Sequence, residues 1–326
     1  MGTMDAQKAA PCVALLSEVL DMQYLSDAFR EACPDIDLRV GADLGRVEDV
    51  DVAVCWFPPH GRLAQLTNLK LVQSLAAGID HLVADPALPR HLPLCRVVDT
   101  TMAAGMKAYV TWAVVQRQRG MQAYVASSAA SEWQEQAFEN PRRHRVGVAG
   151  LGHLGTACAT ALATIGYAVR GWSRNAKTEL PEGVMAFHGA DQLDEFLSGC
   201  DTLVCLLPLT PQTRHVLNRD LFTKLNRSSP MGAPVLINAG RGGLQNEKDI
   251  LQCLDDGTLG GVSLDVYATE PLPADSRFWT HPKVVLTPHN AADTDPDEIS
   301  KYVARQIERF EAGGALENVV DRKRGY

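Results

Sequence analysis

Three side chains of complementary chemistry, Arg241, Glu270 and His289, each come shortly after a short apolar run of the chain. Arginine can hold a carboxylate through two parallel hydrogen bonds, and histidine can donate a proton near neutral pH. A carboxylate hydrogen-bonded to that histidine would fix its tautomer and favour the imidazolium. Reduction of a carbonyl group needs a fixed cation and a proton donor, because negative charge develops on the oxygen. The set therefore predicts carbonyl reduction, with His289 as the acid.

Each of these residues also has an ordinary interpretation when it is taken alone. A loop glutamate is usually solvated, a loop arginine often serves as an ion-pair partner, and a loop histidine usually lies at the surface. We interpret the following histidines as surface residues: His60, His81, His91, His144, His188, His215 and His281. Only the joint occurrence of arginine, glutamate and histidine, behind a nucleotide-binding pattern, favours a catalytic site.

A glycine-rich turn between a predicted strand and a predicted helix indicates where a dinucleotide would bind. Strand, turn and helix read Val146–Ala149, Gly150-Leu151-Gly152-His153-Leu154-Gly155 and Thr156–Ile165. Gly150 would permit the tight turn, Gly152 the approach of a pyrophosphate, and Gly155 close packing of helix and strand. The N–H groups of His153 and Leu154 would face the pyrophosphate at the start of the helix. The order of elements is what makes this glycine pattern a dinucleotide-binding fingerprint.

The end of the next strand favours one dinucleotide over the other. The run Tyr167–Gly171 predicts this strand, and Trp172-Ser173-Arg174 follows it. A site for NADH usually places an acid about here, for the ribose 2′-hydroxyl, whereas an arginine accommodates the 2′-phosphate of NADPH. Ser173 can donate a hydrogen bond, and Arg174 and Lys177 can pair with a phosphate. We therefore expect NADPH; the alternative is that Arg174 and Lys177 form a solvated turn.

Composition restricts the class of protein. The 326 residues are 46% apolar and 21% charged, which is typical of a globular protein with about two domains. The net charge of −8 argues against nucleic acid or an anionic membrane surface as the main partner. The chain shows no signal-peptide pattern and no apolar run of about 18 residues. Its eight cysteines are scattered, which predicts reduced core residues of a cytoplasmic protein and no metal site.

Short apolar runs alternate with helical patterns along the chain, which predicts an α/β protein with parallel sheets. In the first third the predicted strands are Val13–Ser17, Ile36–Val40, Val52–Trp56, Lys70–Leu75 and Arg96–Val98. The second series is Val146–Ala149, Ala168–Gly171, Thr202–Leu206, Val235–Asn238, Gly261–Val266 and Val284–Thr287. Six strands of this kind match one doubly wound dinucleotide-binding domain. Helices are predicted over Leu20–Ala32, Ala103 to about Tyr124, and Pro296–Ala312.

From Ala76 to Ala292 the chain resembles the D-isomer-specific 2-hydroxyacid dehydrogenases. The motifs that carry the resemblance are GLGHLG in the glycine turn, LLPLTPQTRHV (Leu206–Val216), INAGRGG (Ile237–Gly243), SLDVYATEPLP (Ser263–Pro273) and HPKVVLTPHNAA (His281–Ala292). The resemblance implies two Rossmann-like domains with doubly wound parallel sheets, the first domain discontinuous in sequence. It implies a substrate domain over residues 1–105 and 293–326, an NAD(P)-binding domain over residues 106–292, and a homodimer built around the helix that begins near Ala103.

The resemblance also implies roles for individual residues. Arg241, Glu270 and His289 occupy the family's catalytic positions, and Asp265 the position that holds the nicotinamide carboxamide. The remaining positions of the cofactor groove are Leu207, Pro208 and Ala239. Ala77 and Gly78 match the loop that receives the substrate carboxylate, and their small-residue turn could offer backbone N–H groups to an anion.

Within the family, the chain looks most like the glyoxylate/hydroxypyruvate reductases of the A type. The Trp-Ser-Arg ending of the second strand is shared with them, as is Trp56, which would shape a small substrate pocket or serve as a core aromatic. The resemblance thus implies NADPH-dependent reduction of a small 2-ketoacid. The alternatives are a family member with another substrate, such as phosphoglycerate, formate or phosphite, and a nucleotide-sensing corepressor with little turnover.

Overall fold

Two parallel sheets organise the protein. The computed structural model describes residues 10–136, 139–229 and 232–322. The chain divides into two compact units: unit 1 comprises residues 1–101 and 294–326, and unit 2 comprises residues 102–293. Unit 1 contains a sheet of five strands and unit 2 a sheet of seven, and the paired strands run parallel in both. The predicted α/β class with two Rossmann-like units is confirmed.

The strands are β1 (Cys12–Leu16), β2 (Asp37–Val40), β3 (Val52–Cys55), β4 (Leu71–Ser74), β5 (Leu94–Cys95), β6 (Arg145–Ala149), β7 (Ala168–Ser173), β8 (Val184–His188), β9 (Thr202–Cys205), β10 (Val235–Asn238), β11 (Gly261–Leu264) and β12 (Val284–Leu286). The α-helices are α1 (Ser26–Ala32), α2 (Asp80–Val83), α3 (Thr100–Gln118), α4 (Met121–Ala130), α5 (His153–Ile165), α6 (Leu193–Ser198), α7 (Arg219–Thr223), α8 (Glu247–Asp255) and α9 (Pro296–Glu311).

Unit 1 has the strand order β2-β1-β3-β4-β5. Strands β1, β3 and β4 are buried along their whole length, as expected for a parallel sheet covered on both faces. Four of the five strands lie where the sequence predicts them. The fifth prediction, Arg96–Val98, is wrong, because β5 comprises Leu94–Cys95 and ends just before the predicted strand begins. The N–H groups of Arg96 and Val97 donate instead to the carbonyl oxygens of Asn318 and Ala76.

Both termini of the described chain contribute helices to unit 1. The predicted helix Leu20–Ala32 is wrong in its first half, because Met22–Leu25 forms a 3-10 helix before α1. The final helix, α9, begins at Pro296, and the Asp295 carboxylate accepts hydrogen bonds from two N–H groups of its first turn. Its apolar face packs against α1 and buries Ile299, Val303 and Ile307. The structure thereby assigns α9 to unit 1, which periodicity alone leaves open.

Unit 2 has the strand order β12-β11-β10-β9-β6-β7-β8. All six predicted strands are present, but the edge strand β8 is a seventh that the sequence analysis missed. Its apolar run, residues 184–187, is short and only Phe187 of it is buried, so the segment differs from the buried strands of the sheet interior. Strands β6 and β9 are neighbours whose chain connections leave in opposite directions across the sheet. Ligands of doubly wound sheets bind at the carboxyl edge next to such a reversal.

The long helix predicted from Ala103 to about Tyr124 is wrong in one respect: it consists of α3 and α4, separated at Gly120. Gly120 has a φ of 61°, a left-handed conformation that glycine adopts without steric cost.

No helix in residues 10–136, 139–229 or 232–322 is long and apolar enough to cross a membrane.

The prediction that the remaining histidines lie at the surface is wrong for the His281 side chain, which is 9% exposed, and for His81 and His144. The latter two are at most 5% exposed. The His144 ring lies 3.0 Å from the Glu139 carboxylate and 2.9 Å from the Thr202 hydroxyl. Thr202 begins β9, so this cluster lies at the amino edge of the sheet and has a structural role there.

The eight cysteines are free and buried, as expected of reduced core residues.

Candidate active site

The glycine turn of unit 2 has the geometry of a dinucleotide-binding turn. A Cβ atom at Gly155 would collide with the carbonyl oxygen of Gly150, so only glycine lets α5 pack this closely on β6. Gly150 has a φ of 104°, and a Cβ there would lie 2.7 Å from the Leu206 carbonyl oxygen, just after the adjacent strand. A Cβ at Gly152, in contrast, would meet nothing within 4 Å. The turn thus leaves open space at the position where a pyrophosphate would approach.

The other predicted cofactor residues lie around this turn at the same sheet edge. His153 and Leu154 begin α5, with His153 exposed and Leu154 half-buried. Leu207 and Pro208 follow β9 and are half-buried, and Ala239 follows β10 and is buried. This arrangement of glycine turn, helix N-terminus and neighbouring strand ends fits a dinucleotide.

At the end of β7 the predicted residues differ in how accessible they are. Trp172 is half-buried, and its indole N–H donates to the Gly189 carbonyl oxygen at 3.0 Å. The Ser173 hydroxyl donates to the Asn175 carbonyl oxygen at 2.8 Å, so its proton is already used within the protein. Arg174 and Lys177 are exposed. The cations are therefore the better candidates for contact with a phosphate.

His289 and Glu270 form the shortest side-chain contact of the predicted catalytic set. The His289 Nδ1 atom lies 2.6 Å from the Glu270 Oε2 atom, and each side chain is about one-third exposed. The backbone N–H of Tyr267 donates to the other carboxylate oxygen at 2.9 Å. When Nδ1 donates to the carboxylate, Nε2 is the ring atom from which a proton can be transferred to another molecule.

The charge state of Glu270 follows from its neighbours. Partial burial raises the pKa of its carboxyl group. The hydrogen bonds from His289 and from the Tyr267 N–H, together with the positive charges of His289 and Arg241, outweigh this effect and hold the pKa below its ordinary value. Glu270 is therefore ionised at neutral pH and can stabilise an imidazolium at His289.

Asp265 fixes the segment that carries His289. Its Oδ1 atom accepts hydrogen bonds from the Thr287 hydroxyl at 2.7 Å and the Asn290 N–H at 3.0 Å, and its Oδ2 atom accepts from the Ala291 N–H at 3.0 Å. Asp265 is only 1% exposed. His289 itself has a φ of 55°, a left-handed conformation that is uncommon outside glycine. The buried carboxylate holds the chain on both sides of this unusual residue.

A buried polar network joins the loop of Arg241 to the loop of Glu270. The Asn238 amide donates to the Arg241 carbonyl oxygen at 3.1 Å and to the Gln245 side chain at 3.0 Å. Gln245 in turn donates to the Val266 carbonyl oxygen at 3.0 Å. A Cβ at Gly242 would collide with the Tyr267 carbonyl, so the two loops are in direct contact. Arg241 is half-buried, and its guanidinium donates to the Gly240 carbonyl oxygen.

The residues that orient these loops, chiefly Asn238 and Gln245, were not predicted from the sequence. Both are at most 1% exposed. A signal for Asn238 was present, because a polar residue ending an otherwise apolar strand must find a buried partner. Gln245 gave no comparable signal, since it lies in an ordinary polar stretch after the glycines. Strands β10, β11 and β12 are neighbours, and they bring Arg241, Glu270 and His289 to one edge of the sheet.

The predicted substrate residues of unit 1 lie at the carboxyl edge of its own sheet. Trp56 follows β3 and is half-buried, and its ring centroid lies 4.8 Å from those of Phe57 and His81. Ala77 and Gly78 follow β4 in a half-buried turn, where the Ser74 hydroxyl contacts the backbone at Ala76 and Gly78. The aromatic contacts show that Trp56 packs within unit 1, and its partial exposure leaves a face for other contacts.

Comparison with known proteins places these motifs in one family. Residues 111–291 match the family model described as D-isomer specific 2-hydroxyacid dehydrogenase, NAD binding domain. A glyoxylate/hydroxypyruvate reductase A from Enterobacter sp. (strain 638) is 39% identical over 311 residues, covering 94% of this chain and 97% of the relative. A protein of the same name from Photorhabdus laumondii is 37% identical over 302 residues, covering 91% of this chain and 94% of the relative.

Solved structures show the same similarity in three dimensions. The NADPH-dependent glyoxylate/hydroxypyruvate reductase from Sinorhizobium meliloti, in complex with NADP and sulfate, has a TM-score of 0.90 and 41% identity. The similarity covers 97% of this chain and 100% of that one. A D-isomer specific 2-hydroxyacid dehydrogenase from Xanthobacter autotrophicus Py2, in complex with NADPH and MES, has a TM-score of 0.90 and 36% identity, covering 98% and 100%.

Proposed function

The chain belongs to the D-isomer-specific 2-hydroxyacid dehydrogenases, a family of NAD(P)-dependent oxidoreductases, and from this premise we propose that it reduces glyoxylate or hydroxypyruvate with NADPH. The observation that carries the proposal is the hydrogen bond between His289 and an ionised Glu270 at the sheet edge that also presents Arg241. These residues supply the proton donor and the cation that reduction of an anionic 2-ketoacid needs.

In the proposed reaction, each residue has a separate task. Arg241 binds the substrate carboxylate, and His289 donates the Nε2 proton to the carbonyl oxygen as negative charge develops there. Glu270 holds the ring in the tautomer that allows this transfer and stabilises the imidazolium before it. The reduced nicotinamide, when bound, supplies the hydride to C2. The backbone of Ala77 and Gly78 would offer further donors to the carboxylate.

The cofactor residues are proposed from the geometry of unit 2. The Gly150–Gly155 turn with the first N–H groups of α5 would hold the pyrophosphate, and Leu207, Pro208 and Ala239 would line the groove. Arg174 and Lys177 would bind the 2′-phosphate, in keeping with the relatives that were crystallised with NADPH or NADP. Asp265 has lone pairs beyond those used by the His289 segment and could also accept from the carboxamide. Unit 1 would then serve as the substrate domain.

We further propose a cytoplasmic homodimer that uses the exposed apolar residues of α3, α4 and the segment after them. These residues are Trp112, Met121, Val125 and Trp133, with Trp133 95% exposed. Clustered exposed apolar groups are typical of protein interfaces. We expect light scattering to give twice the chain mass for the wild type and the single chain mass for Val125→Asp. Val19→Asp, at another exposed valine, in unit 1, should remain dimeric; a monomeric wild type would refute the dimer.

The direct test of the function measures loss of nicotinamide absorbance with glyoxylate, hydroxypyruvate and pyruvate, each with NADPH and with NADH. We expect turnover of glyoxylate and hydroxypyruvate with NADPH to be fastest. Turnover only with another 2-ketoacid would correct the substrate and leave the chemistry intact. Tight nucleotide binding without turnover of any ketoacid would contradict the proposal and favour a nucleotide-sensing binding protein.

A further inference from the structure

Three polar side chains of unit 2 connect helix α3 to the segment that carries His289. The Tyr109 phenol of α3 lies 2.9 Å from the hydroxyl of Thr287, which directly follows β12. The Thr287 hydroxyl donates to the Oδ1 atom of Asp265 at 2.7 Å. The Asp265 carboxylate also accepts hydrogen bonds from the N–H groups of the two residues after His289. Tyr109 is thus the outer end of a hydrogen-bond network that leads to the candidate proton donor.

The number of protons sets the direction of these hydrogen bonds. A threonine hydroxyl has one proton and two lone pairs. Because the Thr287 proton is directed to the Asp265 carboxylate, the phenol of Tyr109 must donate to the Thr287 oxygen. Burial, with the nearby charge of Asp265 and against the hydrogen bond to Thr287, raises the pKa of Tyr109 to about 12. The phenol therefore keeps its proton at neutral pH and remains a donor.

Helix α3 holds Tyr109 in place beside β11, the strand that ends just before Asp265. The guanidinium of Arg117, further along α3, donates to the Ser263 hydroxyl at 3.1 Å. Ser263 lies within β11, two residues before Asp265. The Tyr109 side chain is half-buried, and Thr287 is the only hydrogen-bond partner of its phenol in the part of the chain that the structure describes. The phenol thus has one task, and the helix sets its position.

The backbone of His289 needs support of this kind. Its φ of 55° is unfavourable for a residue with a Cβ atom and persists only where the surrounding contacts impose it. Asp265 imposes it from both sides, through Thr287 before His289 and through two N–H groups after it. The hydrogen bond from Tyr109 fixes the Thr287 oxygen and so favours the side-chain rotamer in which the hydroxyl reaches Asp265.

We propose that Tyr109 is a positioning residue for the reaction: through Thr287 and Asp265 it keeps the His289 backbone in the conformation that places the ring against Glu270. The inference rests on the proposed function, because His289 is the proton donor only there. Tyr109 acts through Thr287 and transfers no proton to the substrate. Its removal therefore affects the step in which His289 takes part more than it affects binding of the ketoacid.

The Tyr109→Phe substitution removes one oxygen and keeps the ring. We expect kcat for glyoxylate to fall about tenfold, the effect of one hydrogen bond in a partly buried network, with the KM for glyoxylate changed less than about twofold. The matched control is Tyr167→Phe, which removes a phenolic oxygen from another tyrosine of unit 2. The Tyr167 ring lies beside His144, away from the His289 segment, and its variant should keep both wild-type values.

A double-mutant cycle with Thr287→Val tests whether the effect passes through the threonine. We expect Tyr109→Phe to lower kcat no further in an enzyme that already carries Thr287→Val. Thr287→Ser keeps the hydroxyl and should retain most of the wild-type rate. Losses that multiply independently in the double variant, or a wild-type kcat in Tyr109→Phe, would overturn the proposal.

Amide hydrogen exchange separates failure of this inference from failure of the proposed function, because it needs no turnover. In Tyr109→Phe we expect exchange to become about tenfold faster over residues 286–293, which include the two N–H groups that donate to Asp265, with β9 protected as in the wild type. This result would support the network even in a protein that reduces no ketoacid. Unchanged exchange over residues 286–293, or an equal rise in β9, would overturn the proposal.

Discussion

The His289→Gln substitution is expected to lower kcat for reduction of glyoxylate by about 10²–10⁴-fold, the usual contribution of a positioned proton donor. Glutamine retains a polar side chain of similar reach but cannot deliver a proton to the carbonyl oxygen. Because His289 acts on the oxygen that gains charge and not on the cofactor, the KM for NADPH should stay unchanged. Steady-state kinetics with each substrate varied in turn measures both quantities.

The charge of Glu270, the hydrogen-bond partner of His289, makes the rate of reduction depend on pH. Neighbouring hydrogen bonds and positive charges hold the pKa of Glu270 below its ordinary value, so its carboxylate remains ionised as the pH rises from acid to neutral. The rate of reduction should therefore hold into the acid range and fall only where Glu270 takes up a proton, below the pH at which an ordinary glutamate does. Glu270→Gln removes this titrating group and its support of the imidazolium, so kcat should be lower than in the wild type and its fall on the acid side should disappear.

A matched control is available in His91, which is exposed in unit 1. His91→Gln should leave kcat and the pH profile as in the wild type. A His289→Gln enzyme that reduces glyoxylate at the wild-type rate would remove His289 from its assigned role. An acid fall that persists in Glu270→Gln would show instead that Glu270 is not the group whose protonation limits the rate.

The parts of the fold that were predictable are those fixed by burial and by backbone sterics. Buried parallel strands such as β1 and β3 are apolar along their whole length. At Gly150 and Gly155 of the nucleotide turn, a Cβ would collide with neighbouring backbone. Strand β8 was missed although residues 184–187 are apolar, because the run is short and a short apolar run alone does not distinguish a strand from other structure. The break at Gly120 was missed because a glycine is tolerated within helices, and its left-handed φ depends on the packing of two helices.

For the candidate site, the catalytic residues were predictable from the sequence, and the hydrogen bonds that hold their loops in place were not. Parallel strands place their carboxyl ends together, so the position of Arg241, Glu270 and His289 at one sheet edge follows from where they stand in the sequence. The contacts of Asn238 and Asp265 depend instead on loop conformations set by several strands at once. Asp265 shows the difference: the family resemblance points to the cofactor, whereas the three hydrogen bonds that its carboxylate accepts, from Thr287, Asn290 and Ala291, hold the His289 segment.

Arg174→Gln is the second substitution with a large expected effect, on cofactor choice. It should lower kcat/KM for NADPH about 100-fold and leave kcat/KM for NADH nearly unchanged. Arg174 is exposed at the end of β7, where the Ser173 hydroxyl is already bonded to Asn175, so binding of the 2′-phosphate falls mainly to the guanidinium. Loss of charge-assisted hydrogen bonds to a phosphate accounts for an effect of this size. NADH has no phosphate at that position and cannot lose the contact.

Arg227, an exposed arginine of the same unit, provides the control, because Arg227→Gln removes the same charge without touching the end of β7. Its ratio of kcat/KM for NADPH to that for NADH should equal the wild-type ratio. If the two cofactors lose activity equally in Arg174→Gln, the arginine supports the fold of the β7 end and does not read the phosphate. A wild-type enzyme that prefers NADH would refute the assignment outright, because an exposed cation pair at this edge would then be an ordinary solvated turn.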